Sequence, residues 1–178
     1  MDWSPDIRAF FDSSQAVRGN QMMPTSEAFL DAAPARYMPN CYIVEITDDQ
    51  AVVRFQGSFL MVYWQSYYTG LEMHGGNRSK YKAHSLGNMQ TIVRHPCGQH
   101  LLFHFDTSLG IQAVAEHINL PLAVKPGRPP RMICLIWPTE SHKPLERLER
   151  VVRSIARDET AWIDIGAGVP AKPPLRYA

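Results

Sequence analysis

The stretch "SFLMVYWQSYY", Ser58 to Tyr68, constrains this chain more than any other. It follows a strand-like run and a glycine, and it has almost no polar face. Wound as a helix, it sets Phe59, Val62 and Tyr63 on one side and Leu60, Trp64 and Tyr67 on another. Met61 and Tyr68 lie between them. A helix that is apolar all round is either buried on every side or lines a cavity. Its tyrosine hydroxyls and indole N–H need partners if they are buried. Solid core and cavity wall both stay open at this point.

The rest of the chain has to supply what covers that segment. Its 178 residues suit one domain, which at this size buries about 70% of its unfolded surface. In "SPDIRAFFDSSQAVRG", Ser4 can cap a helix that Pro5 and Asp6 open, and Gly19 can stop it. Ile7, Phe10, Phe11 and Val17 share one face. A short helix is expected from Thr25 or Ser26 to just before Pro34. "CYIVEIT" and "AVVRFQ", joined by a turn at Asp48-Asp49, read as a hairpin.

Gly70 to Ser79 reads as a loop. "KYKAHSLGNMQTIVRHPCG" then reads as a helix carrying Leu86, Met89 and Val93 on one face and closed by Pro96 and Gly98. Gly87 inside it costs roughly 1 kcal/mol against alanine. "QHLLFHFD" alternates, with Leu101, Phe103 and Phe105 opposite His100, Leu102 and His104. "IQAVAEHINLPLAV" is a strand interrupted by Pro121. "RMICLIW", apolar on both faces, predicts a central strand.

Toward the end, "PLERLERVVRSIARD" places Leu145, Leu148, Val152 and Ile155 on one helical face. Glu146–Arg150 and Glu149–Arg153 form i,i+4 pairs. That predicts a C-terminal helix, followed by a glycine- and proline-rich tail with little regular structure. The expected architecture is α+β, with an antiparallel sheet of about five strands. A helical extension occupies residues 1–36, the core 37–138, and the helix and tail 139–178.

Composition narrows the function classes. A formal net charge of +1, with basic residues dispersed, predicts neither nucleic acid nor an anionic membrane as a partner. No apolar run approaches the ~20 residues of a membrane span, and the first residues lack the pattern of a signal peptide. Three cysteines, Cys41, Cys97 and Cys134, with no C-x-x-C, argue against a disulfide framework or zinc cluster. The expected location is the cytoplasm.

Motifs of catalysis or metal binding do not survive inspection. His100 and His104 have helical ligand spacing, but on a strand they stand about 13 Å apart. His95 and Cys97 in "HPCG" belong to a helix stop. "GAGVPA", Gly166 to Ala171, has the letters of a dinucleotide fingerprint, but Pro170, Pro173 and Pro174 forbid the helix that motif needs. There is no G-x-S-x-G elbow. Glu116 and His117, adjacent on a strand, face opposite sides.

Several short elements, in order, resemble a bacterial PAS family often found as a stand-alone domain. They are Arg18-Gly19 with Met23-Pro24, Gly57-Ser58, Thr69-Gly70, Pro96-Cys97-Gly98 and Leu120-Pro121-Leu122. Ser58 stands where the family usually has threonine. The likeness runs from about Ile7 to Trp137, and its element order is hairpin, short helices, then three antiparallel strands.

The resemblance implies a sensory or regulatory module without catalytic residues. Such a module holds a small molecule or haem between the sheet and the inserted helices, or binds protein through the sheet face and flanking helices. With no effector segment recognised, output is expected through a protein partner or a homodimer. The expected pocket lining is Trp64, Tyr67, Met89, Val93, Phe103, Phe105, Cys134 and Ile136. The cofactor stays open. Haem is not expected, and His84 is the one candidate axial ligand.

Two other classes remain. A small cavity-fold enzyme, cyclase- or isomerase-like, would place Glu45, Glu116 or Asp106 in the cavity beside His104 or His117. A pure interaction module would have a filled core.

Overall fold

A computed structural model describes residues 3–64, 66–73, 80–107, 112–140 and 152–176; the side chains at 62–64, 80–81, 105–107, 112–113, 140 and 152–158 lie outside that description. The chain folds as α1 (Pro5–Arg18), α2 (Ser26–Ala32), a 3-10 turn (Met38–Asn40), β1 (Cys41–Ile46), β2 (Ala51–Gln56), α3 (Ser58–Trp64), α4 (Lys80–Arg94), β3 (Gly98–Thr107), β4 (Gln112–Leu122), β5 (Arg131–Glu140) and β6 (Val152–Ile163). The six strands make one antiparallel sheet in the order β2-β1-β5-β4-β3-β6. Among the described residues no helix is long and apolar enough to cross a membrane.

The expected starts of α1 and α2 and the expected stop of α1 are found. Ser4 Oγ accepts from the Ile7 N–H, Thr25 Oγ1 accepts from the Ala28 N–H, and Gly19 ends α1 at φ 56°. The expected hairpin is β1–β2, with a bulge that pairs Ile43 with Phe55 but Val44 with Val53. The outer edge of β2 is not left open. Leu71 accepts from the Val53 N–H, the Gly70 N–H reaches the Val53 carbonyl, and the Met73 N–H reaches that of Ala51.

Gly57 is required by contact. A Cβ there would lie 2.3 Å from the carbonyl oxygens of Met38 and Pro39, so the hairpin exit passes directly over the 3-10 turn. β4 is not interrupted at Pro121, which pairs with Met132 of β5. The β3 ladder has already ended at Gln99↔Asn119, so on that side Pro121 has no partner strand to donate to.

The sheet is buried on both faces, and the strands alternate cleanly between them. Tyr42, Val44, Met132, Cys134 and Ile136 join Leu60 of α3 and Met89 and Ile92 of α4 in one core. Cys41, Ile43, Ile133 and Leu135 join Ile7 and Phe10 of α1 and Phe29 of α2 in the other. β5 therefore behaves as the central strand that its two apolar faces predict. The N-terminal helices, expected as an extension, are the cover of one whole face.

The C-terminal expectation is corrected. Residues 152–155 of the expected helix begin β6, which runs beside β3 from Thr107↔Val152 to Gly98↔Ile163. Residues 144–151 of that helix lie outside the described residues. The i,i+4 pairs favour a helix by only ~0.3–0.5 kcal/mol each, whereas the ladder on β3 gives the backbone partners over twelve residues. The sheet thus has six strands instead of five. From Asp164 to Arg176 the tail has no helix or strand, as expected, although its last described residues lie against α4.

Candidate functional site

The eight residues expected to line a pocket separate into three groups. Met89, Phe103, Cys134 and Ile136 are buried together in the core under α3 and α4, with Val93 packed against them. Tyr67 is 63% exposed and lines nothing. The helical periodicity that set it beside Trp64 stops, because α3 ends at Trp64. Gln56 then holds the following chain open: its Oε1 accepts from the Tyr68 N–H at 2.7 Å, and its Nε2 donates to the Ser66 carbonyl at 3.1 Å. The side chains of Trp64 and Phe105 lie outside the described residues; on β3, Phe105 pairs with Ala113 and Ile155.

Polar groups are built into this core. Tyr42 Oη and His117 Nε2 are 3.1 Å apart, and the His117 ring stacks on Phe103 at 5.2 Å. Asn119 Nδ2 donates to Gln99 Oε1 at 3.1 Å, and Gln99 Nε2 donates to Thr160 Oγ1 at 3.0 Å. These bonds cross β1, β4, β3 and β6 on one face and fix their register with groups that are costly to leave unmatched. Among the described residues, a cavity of about 10 Å³ lies beside Ala51, Ser85, Leu86 and Met89. That is room for roughly one water. Burial pushes the Cys97 thiol up to about 11 and raises the thiols of Cys41 and Cys134 further, so none is a poised nucleophile.

A larger opening lies on the opposite face. A cleft of about 410 Å³ is bordered by Trp3, Arg8, Phe11, His100, Trp162 and Asp164, among others. Behind it, the Nε2 of His100, which lines the cleft, is 3.1 Å from Glu116 Oε2, and both residues are buried. The Ser4 backbone N–H, at the start of α1, donates to both Glu116 oxygens at 3.1 and 3.2 Å. A carboxylate at this helix start meets free N–H groups and the positive end of the dipole. Trp3 stacks over His100 at 5.9 Å, and the Arg8 guanidinium lies 4.2 Å over Trp3. This arrangement sets an indole, a guanidinium and a carboxylate-bonded imidazole along one cleft.

Among the described side chains, the acids named in the enzyme reading have other partners. The partner of Glu116 is His100, whereas His104 is exposed and His117 serves Tyr42 on the other face. The opposed faces of Glu116 and His117 follow from the strand alternation, as expected. What one sequence cannot supply is the β3–β4 register that brings His100 to Glu116. Glu45 is held by Arg54 and Arg131, and that first hydrogen bond, from Arg54, keeps its carboxyl below the usual glutamate range. The Asp106 side chain lies outside the described residues. His84 Nδ1 donates to the Arg176 carbonyl at 2.7 Å. Among the described residues no three metal-ligating side chains converge.

Comparison of the chain with family models, with curated proteins and with solved structures finds no match.

Proposed function

We propose that this chain is a PAS-like regulatory module of the cytoplasm that transmits its signal by contact with a protein partner. The supporting observation is the packing beneath α3 and α4, where Leu60, Met89, Ile92 and Phe103 share one core. These helices are inserted between β2 and β3 and cover one face of an antiparallel sheet, and among the described residues a cavity between α4 and Ala51 has room for about one water. The resemblance allows either ligand binding beneath the inserted helices or protein binding through the flanking ones. A packed core favours the second. Native mass spectrometry of gently purified protein tests this. The expected result is the chain mass or a whole multiple of it, and a stoichiometric extra mass lost on denaturation argues against it.

The His100–Glu116 pair favours one second reading, a module that takes a small ligand in the cleft beside α1. Under that reading the extra mass is present in the parent and absent from a folded His100→Ala variant. Proton-transfer chemistry at the same pair is the enzyme form of this reading.

A further inference from the structure

Between Lys172 and Arg176 the chain crosses α4, and α4 reads its backbone. Asn88 is 2% exposed, and both ends of its side-chain amide go to one residue of the segment. Nδ2 donates to the Leu175 carbonyl at 3.0 Å, and Oδ1 accepts from the Leu175 N–H at 2.8 Å. This is the pair of bonds a neighbouring β-strand would offer. One turn earlier on α4, His84 bonds the Arg176 carbonyl; at the other end, Trp162 Nε1 donates to the Lys172 carbonyl at 2.8 Å.

The side chains add shape. Pro174 is buried, and Leu175 rests on Gly87, where a Cβ would lie 3.1 Å from Leu175 Cδ1. A glycine in the middle of a 15-residue helix is unfavourable by about 1 kcal/mol against alanine, and here it lets Leu175 seat without shifting. Lys172 and Arg176 are exposed and enter these contacts through their carbonyls alone. Recognition is therefore of an extended backbone, pre-set by two prolines, with one leucine-sized side chain in a glycine notch. Nothing in those contacts is particular to this chain's own tail.

We propose that His84, Gly87, Asn88 and Trp162 form a docking groove for an extended, proline-stiffened segment of a partner protein with a leucine-sized side chain after the prolines. The segment Lys172–Arg176 occupies the groove in cis and competes with that partner. The proposal rests on the protein-contact reading for what the groove serves. Its test is separate, since a failed competition leaves the mass-spectrometric result unchanged.

A tethered segment competes at an effective concentration near the millimolar range, so the cis occupant must first be weakened. In the full chain, Leu175→Asp replaces a half-exposed side chain and opens the notch. A fluorescein-labelled AKPPLR peptide is expected to bind this variant saturably and about tenfold more tightly than it binds the parent, by fluorescence anisotropy. Adding Gly87→Leu introduces a good helix former and fills the notch, so binding is lost while the circular dichroism spectrum is retained. An AKPPDR peptide does not bind. The parent gives a second readout: millimolar AKPPLR shifts its Trp162 indole N–H resonance. The proposal is overturned by a folded Leu175→Asp variant that binds no peptide, by binding that Gly87→Leu leaves unchanged, or by a parent indole resonance that stays fixed. Concentration-dependent exchange of tails between two copies would assign the groove to a second copy and overturn the partner assignment.

Discussion

At Glu116 one carboxylate serves two donors from different elements, the Ser4 N–H of the α1 start and the His100 imidazole of β3. Glu116→Ala leaves both unmatched in a buried setting and is expected to cost about 1–3 kcal/mol in urea unfolding. A loss below ~0.5 kcal/mol would mean that the pair does not hold α1 to the sheet. Glu45 gives the pH dependence. The Arg54 hydrogen bond lowers its folded pKa below the ordinary 4.5. Its contribution is therefore complete above that value and is lost as pH falls through the lowered one. Glu45→Gln should lower Tm at neutral pH and narrow its gap to the parent as pH falls below 4.5. A gap that stays constant with pH contradicts the assignment. Much at this scale was legible from sequence: the caps at Ser4 and Gly19, and the opposed faces of Glu116 and His117. The exposure of Tyr67 was not, because the Gln56 clamp that ends α3's periodicity joins residues ten and twelve apart through a side chain.

At the scale of elements, the local signals were strongest where an element depends only on itself. α1, α2, α4 and the β1–β2 hairpin carry their own caps, periodicity and turn residues, and β5 declares its central place by being apolar on both faces. β6 carries the opposite signal. Its first residues complete a helical stripe with Leu145 and Leu148, and only the exposed ladder of β3 makes them a strand. Tertiary pairing overrides propensity there, and no local window contains the partner. A double-mutant cycle on Gln99→Leu and Thr160→Val tests the pairing directly, through the 3.0 Å side-chain bond between β3 and β6. A coupling energy of about 0.5–1.5 kcal/mol is expected. Zero coupling would separate residue 160 from β3.

For the whole molecule, helices on both faces of one sheet make each core dependent on the other. β1 and β5 contribute alternate residues to both. The face under α1 and α2 ends in an open cleft at His100, while Leu60, Met89 and Ile92 pack into one core under α3 and α4, with the tail seated on the outer helix. The side of the inserted helices was legible from the aromatic segment and from Met89, Phe103, Cys134 and Ile136. Whether that side was solid or hollow was not, since both options use the same apolar residues. The distinction is energetic, and Met89 measures it most directly. In a filled core, Met89→Ala removes packed atoms and leaves a void, which costs about 2–5 kcal/mol. On the wall of an open pocket the same change costs little. A loss within that range is expected by urea unfolding of the full chain; a loss under ~1 kcal/mol with the fold retained would place Met89 on an open pocket wall instead.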